Sequence, residues 1–336
     1  MPRTFAIVGT VRHRWGLMMR DNPPPLVSVL IPTFNRRDYL KATIASVLNQ
    51  TFGDFEVVVS DNASPVDPAD VVAGFADRRL RYYRNASNLG VTGNLLAASR
   101  HARGKYVAIL GDDDLWHPEF LAALVAPLEA DPSLVLAFCD HSIIDPEGRI
   151  DEATSDQVTR RWQRHRLRQG VYRPFDEIAL VYRSICVFSA TVLRRFAIDW
   201  ASIPRDLDFS VDVYLCYLAA RTGLGCYYIP QRLSHYRYHA GSQASSLKRR
   251  EQRLTNARDA MFYWDRFLRD DAIGNKHYFE MKRGFNAFVI IMMLLQSGRR
   301  RQALTELWRW WSEGVLRPRI VVYHLVYALR LHRSHA

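Results

Sequence analysis

The chain has 336 residues, of which 48% are hydrophobic and 24% are charged, so its composition is that of a globular protein and excludes an intrinsically disordered one. The formal net charge is +12, and residues 248–336 hold 18 lysines and arginines against 8 acidic residues, so this tail carries +10 of it. A nearly neutral body joined to a basic tail predicts that the tail, and not the body, meets an anionic surface.

The sequence predicts no membrane span. Residues 1–25 form an N-terminal extension ending in three prolines, and its apolar run at 5–11 lacks the length of a signal-peptide core. The longest apolar run of the tail, 288–295, is far short of the roughly 20 residues that cross a bilayer. We therefore expect a cytoplasmic protein that is at most peripheral, at the inner face of the plasma membrane.

The first part of the sequence alternates buried strands with amphipathic helices. Continuous apolar runs with β-branched residues predict strands buried on both faces, whereas apolar residues at helical spacing, such as Leu40, Ile44 and Val47, predict helices. In chain order the predicted elements are a strand at 27–32, a helix at 37–50, strands at 55–60 and 81–84, a helix at 92–103 and a strand at 106–110. This alternation predicts an α/β fold with a mostly parallel central sheet.

The second part of the sequence is less regular. A basic stretch with few apolar residues, 160–168, predicts a mobile loop. The further predicted elements are a strand at 188–193, a helix at 211–221 and a strand at 226–229. From residue 248 onward the sequence predicts a C-terminal helical region.

Polar and acidic side chains follow three of the predicted strands. They are Thr33-Phe34-Asn35, Asp61-Asn62 and Asp112-Asp113-Asp114. In open α/β sheets, ligands bind beyond the carboxyl ends of the strands. We therefore expect these three segments to line one ligand-binding crevice.

The strongest chemical signal is the acidic triplet in the sequence GDDDLW, residues 111–116. Three neighbouring carboxylates repel one another, and burying them is costly unless a cation compensates their charge. Carboxylate oxygens are the ligands that Mg²⁺ and Mn²⁺ prefer, and these ions complete their shell with phosphates and water. The triplet predicts a divalent-metal site, and a solvated acidic loop is the simpler alternative.

Six segments occur in the order found in glycosyltransferase family 2. They are PTFNR (32–36), VVVSDNAS (57–64), NLGVTGN (88–94), GKYVAILGDDDLWHP (104–118), the segment around Asp212 and HYRYHAGSQAS (235–245). On these motifs the chain resembles that family over residues 26–245. The resemblance implies a Rossmann-like GT-A catalytic domain at 26–245, followed by a basic helical C-terminal region at 246–336.

The resemblance also implies where a nucleoside-diphosphate sugar binds. Thr33, Phe34 and Asn35 would border the base and the ribose of the donor. Asp61 would accept a hydrogen bond from the base. Asn88 matches the loop that precedes the small-residue helix and would also lie on the nucleotide.

In the family's acid-any-acid motif the last acid reaches the metal, which implies that Asp114 binds a divalent ion, Mn²⁺ or Mg²⁺. Asp112 and Asp113 would lie on the nucleotide side of that ion. Gly111 stands where many relatives have an acid, so the frame of the motif stays open, and Asp113 could take the role assigned to Asp112. His239 would approach the metal or the diphosphate.

The same resemblance implies that Asp212 is the general base that removes a proton from the acceptor hydroxyl. The family has an acidic pair at this point, and Val211 replaces its first member. A favourable interaction with the helix dipole is the simpler account of an aspartate in a first turn. Ser242 would be a further, weaker phosphate contact, and His235 is expected to serve packing.

The tail interleaves tryptophan with arginine at helical spacing. Trp310 and Trp311 stand beside Arg309, Arg317 and Arg319. Basic amphipathic helices of this kind bind anionic membrane surfaces, with tryptophan at the interface and arginine on the phosphates. A helical cap that packs on the catalytic domain, or a dimer contact, explains the pattern equally well.

These features predict an inverting glycosyltransferase that moves a sugar from a nucleoside diphosphate to a hydroxyl of a glycan or lipid-linked acceptor in cell-envelope assembly. A sugar nucleotidyltransferase of similar fold is one alternative, but residues 32–39 lack the glycine-rich basic loop that it needs. The pI of about 9.7 suggests a nucleic-acid-binding protein. However, acidic residues fill the predicted crevice, so no nucleic acid is expected as a partner. A catalytically inactive scaffold is a third alternative.

Overall fold

The computed structural model describes residues 23–205, 207, 210–239 and 250–316. Ser242, most of the N-terminal extension and the tail from residue 317, with Arg317 and Arg319, lie outside the described residues. Within them the chain is an α/β protein with a ten-stranded mixed sheet, helices on both faces of that sheet and long helices at the C-terminal end.

The elements follow one another in this order. The strands are β1 Val27–Thr33, β2 Phe55–Asp61, β3 Leu80–Arg84, β4 Tyr106–Ile109, β5 Leu115–Trp116, β6 Leu134–Ile144, β7 Ile150–Asp151, β8 Gly170–Tyr172, β9 Thr191–Arg194 and β10 Gly225–Arg237. The helices are α1 Arg37–Leu48, α2 Ala69–Ala73, α3 Gly90–Arg100, α4 Phe120–Ala130, α5 Glu152–Arg161, α6 Val187–Ala190, α7 Val211–Ala220, α8 Arg250–Arg269, α9 Lys276–Gln296 and α10 Arg300–Ser312.

The sheet runs in the order β3-β2-β1-β4-β9-β6-β10-β5. Strands β1 to β4 are parallel to one another, and β6 is parallel to β10, whereas β9 joins these two groups as an antiparallel strand. Because β1 lies between β2 and β4, the carboxyl ends of these three strands meet at one edge of the sheet. The prediction of an α/β fold with a mostly parallel sheet is confirmed.

Apolar side chains cover both faces of the sheet. On β1, Leu30 packs in one hydrophobic cluster while Val29 and Ile31 pack in another, as the two-residue period of a strand requires. Helices α3 and α7 contribute to the first cluster, and α1 and α4 to the second. This double burial explains why the sequence of the strand is continuously apolar.

Two predictions for the middle of the chain were wrong. Residues 160–168, predicted as a mobile loop, hold the end of α5 and a 3₁₀ turn in which Arg164 is only 2% exposed. Nε of Arg164 donates to Oδ1 of Asp140 at 2.6 Å on the fully buried strand β6. Residues 188–190, predicted as the start of a strand, precede β9, which begins only at Thr191: Phe188 is extended but makes an isolated bridge to Ile109, and Ser189 has a φ of 71°.

The C-terminal helices pack against the sheet domain. Tyr263, Trp264 and Phe267 of α8 join the hydrophobic cluster that contains α7, and Phe279 of α9 does the same. Helix α10 packs on the outer side of α8 and α9 through a separate cluster. The predicted helical C-terminal region is therefore present in the described residues, and its first two helices contact the domain that carries the strand-end crevice.

The tryptophans that α10 exposes agree only in part with the prediction for the tail. Trp310, predicted to insert into a membrane, is 3% exposed and packs in the cluster shared by α8, α9 and α10, so this assignment is corrected. Trp308 and Trp311 are 75% and 54% exposed. In the described part of the chain, no helix is long and apolar enough to cross a bilayer.

Candidate active site

The candidate active site forms where the carboxyl ends of β1, β2 and β4 meet. The register pairs Thr33 of β1 with Asp61 of β2, and the backbone N–H of Asn62 donates to the carbonyl of Thr33 at 2.9 Å. The hydroxyl of Thr33 donates to Oδ2 of Asp112 at 2.7 Å, just beyond the end of β4. The structure thus brings the three polar strand ends into direct contact.

Asp112 is the member of the acidic triplet that binds the end of β1. Its Oδ2 also accepts the backbone N–H of Phe34 at 3.2 Å. Burial, and after it the negative charge of Asp113, raise the pKa of Asp112 to about 7. The positive charge of Arg36, whose Nε lies 3.8 Å from Oδ1 of Asp112, opposes this rise. Asp112 therefore holds the loop that carries Phe34 against the acidic loop.

Asp113 and His239 meet at the same edge of the sheet. Oδ2 of Asp113 lies 2.9 Å from Nε2 of His239. Nη1 of Arg36 donates to this carboxylate and lies 2.9 Å from the same imidazole nitrogen. A guanidinium has only donors and a carboxylate only acceptors, so the tautomer of His239 decides whether Nε2 accepts from Arg36 or donates to Asp113. A carboxylate oxygen and an imidazole nitrogen thus meet beside one guanidinium.

Asp114, which the sequence assigns to the metal, is only 2% exposed, and both of its oxygens accept hydrogen bonds. Oδ1 accepts the backbone N–H of Arg237 at 2.9 Å, and Oδ2 accepts the hydroxyl of Ser189. Burial, and next the charge of Asp113, raise its pKa well above the usual value. Asp114 ties β10 and α6 to the acidic loop, and its role as a metal ligand stays a prediction that this geometry does not favour.

Asp61 is fully buried, and neighbouring residues hold its carboxylate. Ser64 donates to it through its backbone N–H, at 3.1 Å, and through its hydroxyl, and Arg84 of β3 donates through Nη1. The hydroxyl of Ser64 also accepts the backbone N–H of Asn35 at 2.8 Å. Asp61 thus fixes the loop that precedes α1, and its contact with a nucleobase stays a prediction.

Asn88 belongs to a network of amides at the start of α3. Its Oδ1 accepts from Nδ2 of Asn62 at 2.8 Å and from the backbone N–H of Gly90 at 2.9 Å. Oδ1 of Asn62 accepts the backbone N–H of Leu89 at 2.9 Å. Gly90 has a φ of 73°, a conformation that favours glycine. The network anchors the exposed Asn88 beside the end of β2.

Asp212 lies in the first turn of α7, as the sequence predicts. Its Oδ1 accepts the backbone N–H of Val213 at 2.7 Å. Burial raises its pKa, and the guanidinium of Arg183 opposes that rise. The thiol of Cys186 lies within electrostatic range of both Asp212 and Asp114.

The chemistry of two side chains fits a divalent cation. Within the described ranges, no group of three or more His, Cys, Asp or Glu side chains is arranged to hold a metal ion. Oδ2 of Asp113 and Nε2 of His239 are donors that Mn²⁺ accepts. Their separation of 2.9 Å is close to the ~3 Å between adjacent ligands of an octahedral ion with bonds of about 2.1 Å. Two protein donors suit an ion that completes its shell with phosphate and water.

Sequence reasoning missed four residues of the site. They are Arg36, Ser64, Ser189 and Arg237. Three of them stand inside the motifs PTFNR, VVVSDNAS and HYRYHAGSQAS, so the sequence marks their position but not their partners. Ser189 lies in an ordinary apolar segment, and its part in the site shows only in the structure, where it has a φ of 71°, donates to Asp114 and accepts the backbone N–H of Gly111 at 3.1 Å.

A family model for glycosyl transferase family 2 matches residues 28–196, half of the chain. The chain belongs to glycosyltransferase family 2. The match contains the polar strand ends and the whole acidic triplet. Asp212 and His239 lie beyond its end, so their roles depend on the geometry above and on the motif order of the sequence.

A curated relative of known specificity matches part of the chain. The GalNAc(5)-diNAcBac-PP-undecaprenol beta-1,3-glucosyltransferase of Campylobacter jejuni is 34% identical over 134 residues, which cover 39% of this chain and 42% of the relative. The chain spans less than half the length of this and other curated relatives that it matches.

Two solved glycosyltransferases have a similar fold. TarS 1–349 of S. aureus, in complex with UDP-GlcNAc, gives a TM-score of 0.60 at 15% identity, over 80% of this chain and 72% of that chain. The mannosyltransferase PcManGT from Pyrobaculum calidifontis, in complex with GDP-Man and Mn²⁺, gives 0.56 at 18% identity, over 91% and 84%. At these identities the likeness supports the fold alone.

Proposed function

We propose that the protein transfers a sugar from a nucleoside diphosphate to a hydroxyl group, with inversion at the anomeric carbon. The observation that carries this proposal is the pairing of Asp113 with His239, whose 2.9 Å contact puts an oxygen and a nitrogen donor at the strand-end crevice. Open α/β sheets bind their ligands at such an edge. Membership of glycosyltransferase family 2 makes a nucleotide sugar the expected ligand there.

The donor nucleotide would lie against the ends of β1 and β2. Phe34 is 41% exposed and offers a ring face on which a base can stack. Thr33 and Asn35 flank it and are held by Asp112 and by the loop of Asp61. The donor side of the crevice also includes the exposed amide of Asn88.

Asp113 and His239 would hold a divalent ion, Mn²⁺ or Mg²⁺. When bound, this ion would neutralise the charge that grows on the departing diphosphate. Arg36 brings a second positive charge to the same point, since it contacts both side chains. Its planar guanidinium would pair with a phosphate oxygen of the donor, as arginine does at many phosphate sites.

Asp212 would act as the general base. It would take the proton of the acceptor hydroxyl while the oxygen forms a bond to the anomeric carbon and the bond from that carbon to the diphosphate breaks. Attack from the face opposite the leaving group inverts the anomeric configuration. The raised pKa of the buried carboxyl supports this role, because a base is most effective when its pKa lies near the working pH.

The acceptor that we propose is a lipid-linked or other cell-envelope glycan. One support is the similarity to a Campylobacter jejuni enzyme that is named for a PP-undecaprenol substrate. Another is helix α10, whose surface exposes Leu304, Trp308 and Trp311 next to Arg300 and Arg301. Tryptophan and arginine together favour an anionic headgroup region. We place the protein at the cytoplasmic face of a membrane, with a catalytic domain at 26–245 and a helical region at 246–336.

The test of this function is a thermal-shift panel of UDP, dTDP, GDP and CDP sugars, each with Mn²⁺ and with EDTA. We expect one nucleotide class to raise the melting temperature, and to raise it more with Mn²⁺. That donor is then offered with a polyprenyl-diphosphate acceptor, and the anomeric configuration of the product is read by NMR. If no nucleotide sugar stabilises the protein under either condition, the proposed function is rejected.

A further inference from the structure

The half-buried side chain of Arg183 lies against two aromatic rings of the C-terminal helix α8. Its Nη2 donates to the hydroxyl of Tyr263 at 2.5 Å. Its guanidinium carbon lies 5.5 Å from the ring centroid of Tyr263 and 5.6 Å from that of Trp264. Both aromatic residues are 3% exposed. A cation of the sheet domain is thus held by a helix that follows that domain in the sequence.

The backbone around Arg183 is also held in place. Arg183 follows a π-helical turn, Glu177–Val181, and has a φ of 54°, which is uncommon for a residue with a side chain. The backbone N–H of Ser184 donates to the carbonyl of Ile178 at 2.8 Å. The hydroxyl of Tyr278, on α9, donates to the carbonyl of Val181 at 3.3 Å. Such a conformation persists only where the surrounding structure determines it.

Asp212 lies on α7, which packs against the π-helical turn before Arg183, and its carboxyl is within electrostatic range of the guanidinium. Among the residues that the structure describes, the titratable groups within electrostatic range of its carboxyl are Arg183, Cys186, Cys216 and Tyr263. Burial raises the pKa of both thiols and of the phenol, so these three groups are neutral at the pH of catalysis. Within this set, Arg183 supplies the positive charge that opposes the effect of burial on Asp212.

We propose that Arg183 and Tyr263 are positioning residues for the transfer reaction: Tyr263 fixes the guanidinium whose charge keeps Asp212 ionised and able to take the acceptor proton. The inference rests on the proposed function, because it assigns a purpose to the charge state of the proposed base. It also gives the C-terminal helices a part in catalysis, since α8 supplies the residue that holds the counter-charge.

The hydroxyl of Tyr263 can be removed without removing the ring. Tyr263→Phe keeps the aromatic face beside Arg183 and deletes only the hydrogen-bond acceptor. The guanidinium then loses a fixed partner, and its attraction for the carboxylate weakens. Arg183→Gln removes the charge altogether, and Arg183→Lys restores a charge without the planar geometry. Tyr278→Phe is the matched control, since it deletes a phenol of the same cluster whose hydrogen bond goes to a backbone carbonyl.

The first measurement is the dependence of kcat/KM on pH for these variants. A base acts as the carboxylate, so a higher pKa of Asp212 moves the acidic limb of the profile to higher pH and leaves the activity above it unchanged. An adjacent opposite charge lowers a carboxyl pKa by about 1–3 units, so we expect Arg183→Gln to move the limb by about one unit or more. Tyr263→Phe should move it less, Arg183→Lys should recover most of the wild-type profile, and Tyr278→Phe should leave the limb in place.

The second measurement does not depend on turnover. Titration of ¹³C-carboxyl-labelled aspartate by NMR, with the Asp212 signal identified by its loss in Asp212→Asn, reports the protonation of this group directly. A shift of this titration in Arg183→Gln with no change in the rate profile upholds the coupling and rejects Asp212 as the base. A folded Arg183→Gln variant in which neither the titration nor the limb moves overturns the inference. An equal loss of turnover at every pH, with the limb unmoved, does the same.

Discussion

Nε2 of His239 lies 2.9 Å from Oδ2 of Asp113, although 126 positions separate the two residues in the chain. The antiparallel pairing of β5 with β10 explains this contact, because it sets Leu115 opposite His235. The acidic triplet immediately precedes Leu115 in the sequence, and His239 follows His235. Strand pairing at the edge of the sheet, and not proximity in the sequence, therefore brings these two side chains together.

The first prediction concerns the metal. Asp113→Asn keeps the shape of the side chain but removes the charge that attracts a divalent ion, and His239→Ala removes the nitrogen donor. We expect both variants to fold and to lose the extra rise in melting temperature that Mn²⁺ gives to the nucleotide complex, since an ion that binds the folded state stabilises it. Differential scanning fluorimetry with Mn²⁺ and with EDTA measures this difference.

Asp114→Asn separates the two assignments of the metal. Its carboxylate is buried and accepts from Ser189 and Arg237, so this variant should melt at a lower temperature but keep the response to Mn²⁺. A loss of the Mn²⁺ response in Asp114→Asn, together with an unchanged response in Asp113→Asn, would show that the metal binds Asp114, the residue that the sequence motif indicates.

The second prediction concerns Asp212. Asp212→Asn preserves size and leaves an oxygen to accept the backbone N–H of Val213, but it cannot take a proton. A positioned general base contributes roughly 10²–10⁴-fold to the rate, so we expect kcat to fall by about 10²-fold or more while the affinity for the donor stays nearly constant. Steady-state kinetics and nucleotide titration measure the two quantities. Near-normal turnover would show that Asp212 is not the base. A favourable interaction with the helix dipole would then account for its position in the first turn.

The third prediction concerns the buried ion pair of Arg164 with Asp140. Both side chains are almost inaccessible, and Oδ2 of Asp140 also accepts the hydroxyl of Thr159 at 2.7 Å. Arg164→Met leaves the buried carboxylate with Arg232, 4.0 Å from Oδ2, as its charged partner, so the loss of unfolding free energy should reach at most about 3–5 kcal/mol. Urea denaturation measures the loss.

A matched control for that ion pair lies on the surface. Arg149 pairs with Asp145 at 2.7 Å, but its side chain is 74% exposed. Arg149→Met should change the unfolding free energy by no more than about 1 kcal/mol, because solvent screens an exposed pair. Equal effects of the two substitutions would contradict the reading of Arg164 as a buried structural charge.

The fourth prediction is a pH dependence that Asp112 imposes on stability. Its pKa is about 7 in the folded protein against an ordinary value of 3.8, so folding favours the protonated carboxyl. The stability of the metal-free protein should therefore fall as the pH rises from 3.8 through 7, with a slope of at most about 1.4 kcal/mol per pH unit from this group. Asp112→Asn is neutral throughout. The unfolding free energy of the wild type should therefore fall relative to that of this variant between pH 5 and pH 8. A difference that stays constant over this range would refute the assignment.

Much of the fold follows from local sequence patterns. The apolar runs of β1, β2 and β4 predict strands buried on both faces, and the structure places them in the centre of the sheet. The motif order also identifies the three polar strand ends that come into contact. These features depend on residues close together in the chain, where periodicity and composition determine the structure.

Features that depend on distant partners were not predicted. The basic sequence around Arg164 indicates a solvated loop, and only Asp140, on a strand 24 positions away, makes its burial favourable. The different contacts of the carboxylates in the acidic triplet were likewise not predicted. Asp113 and Asp114 have the same chemistry, and the residues that distinguish them, His239 and Ser189, come from β10 and α6. The contacts and the pKa of a carboxylate depend on its neighbours in space, which the local sequence does not indicate.

The fifth prediction concerns the proposed membrane surface on α10. Trp308 and Trp311 are exposed and lie on the same side of the helix, three residues apart, and the arginines at 299–301 begin it. The full-length protein should float with vesicles that contain anionic lipid. High salt should release only part of it, because each surface arginine contributes about 1 kcal/mol at an anionic bilayer, whereas inserted tryptophan does not respond to salt.

Replacing Trp308 and Trp311 with alanine together should abolish the salt-resistant fraction without lowering the melting temperature, since neither side chain is buried. Phe196→Ala is the matched control, because Phe196 is 76% exposed on the sheet domain and should not affect flotation. Trp310→Ala should instead lower the melting temperature, as the side chain packs between α10 and the helices beneath it. Two results would reject the membrane surface: an intact protein that does not float with anionic vesicles, or a double variant that floats in high salt as well as the wild type does. The exposed tryptophans would then have to serve contacts with another protein or with a second copy of the chain, and the case for a lipid-linked acceptor would depend on sequence similarity alone.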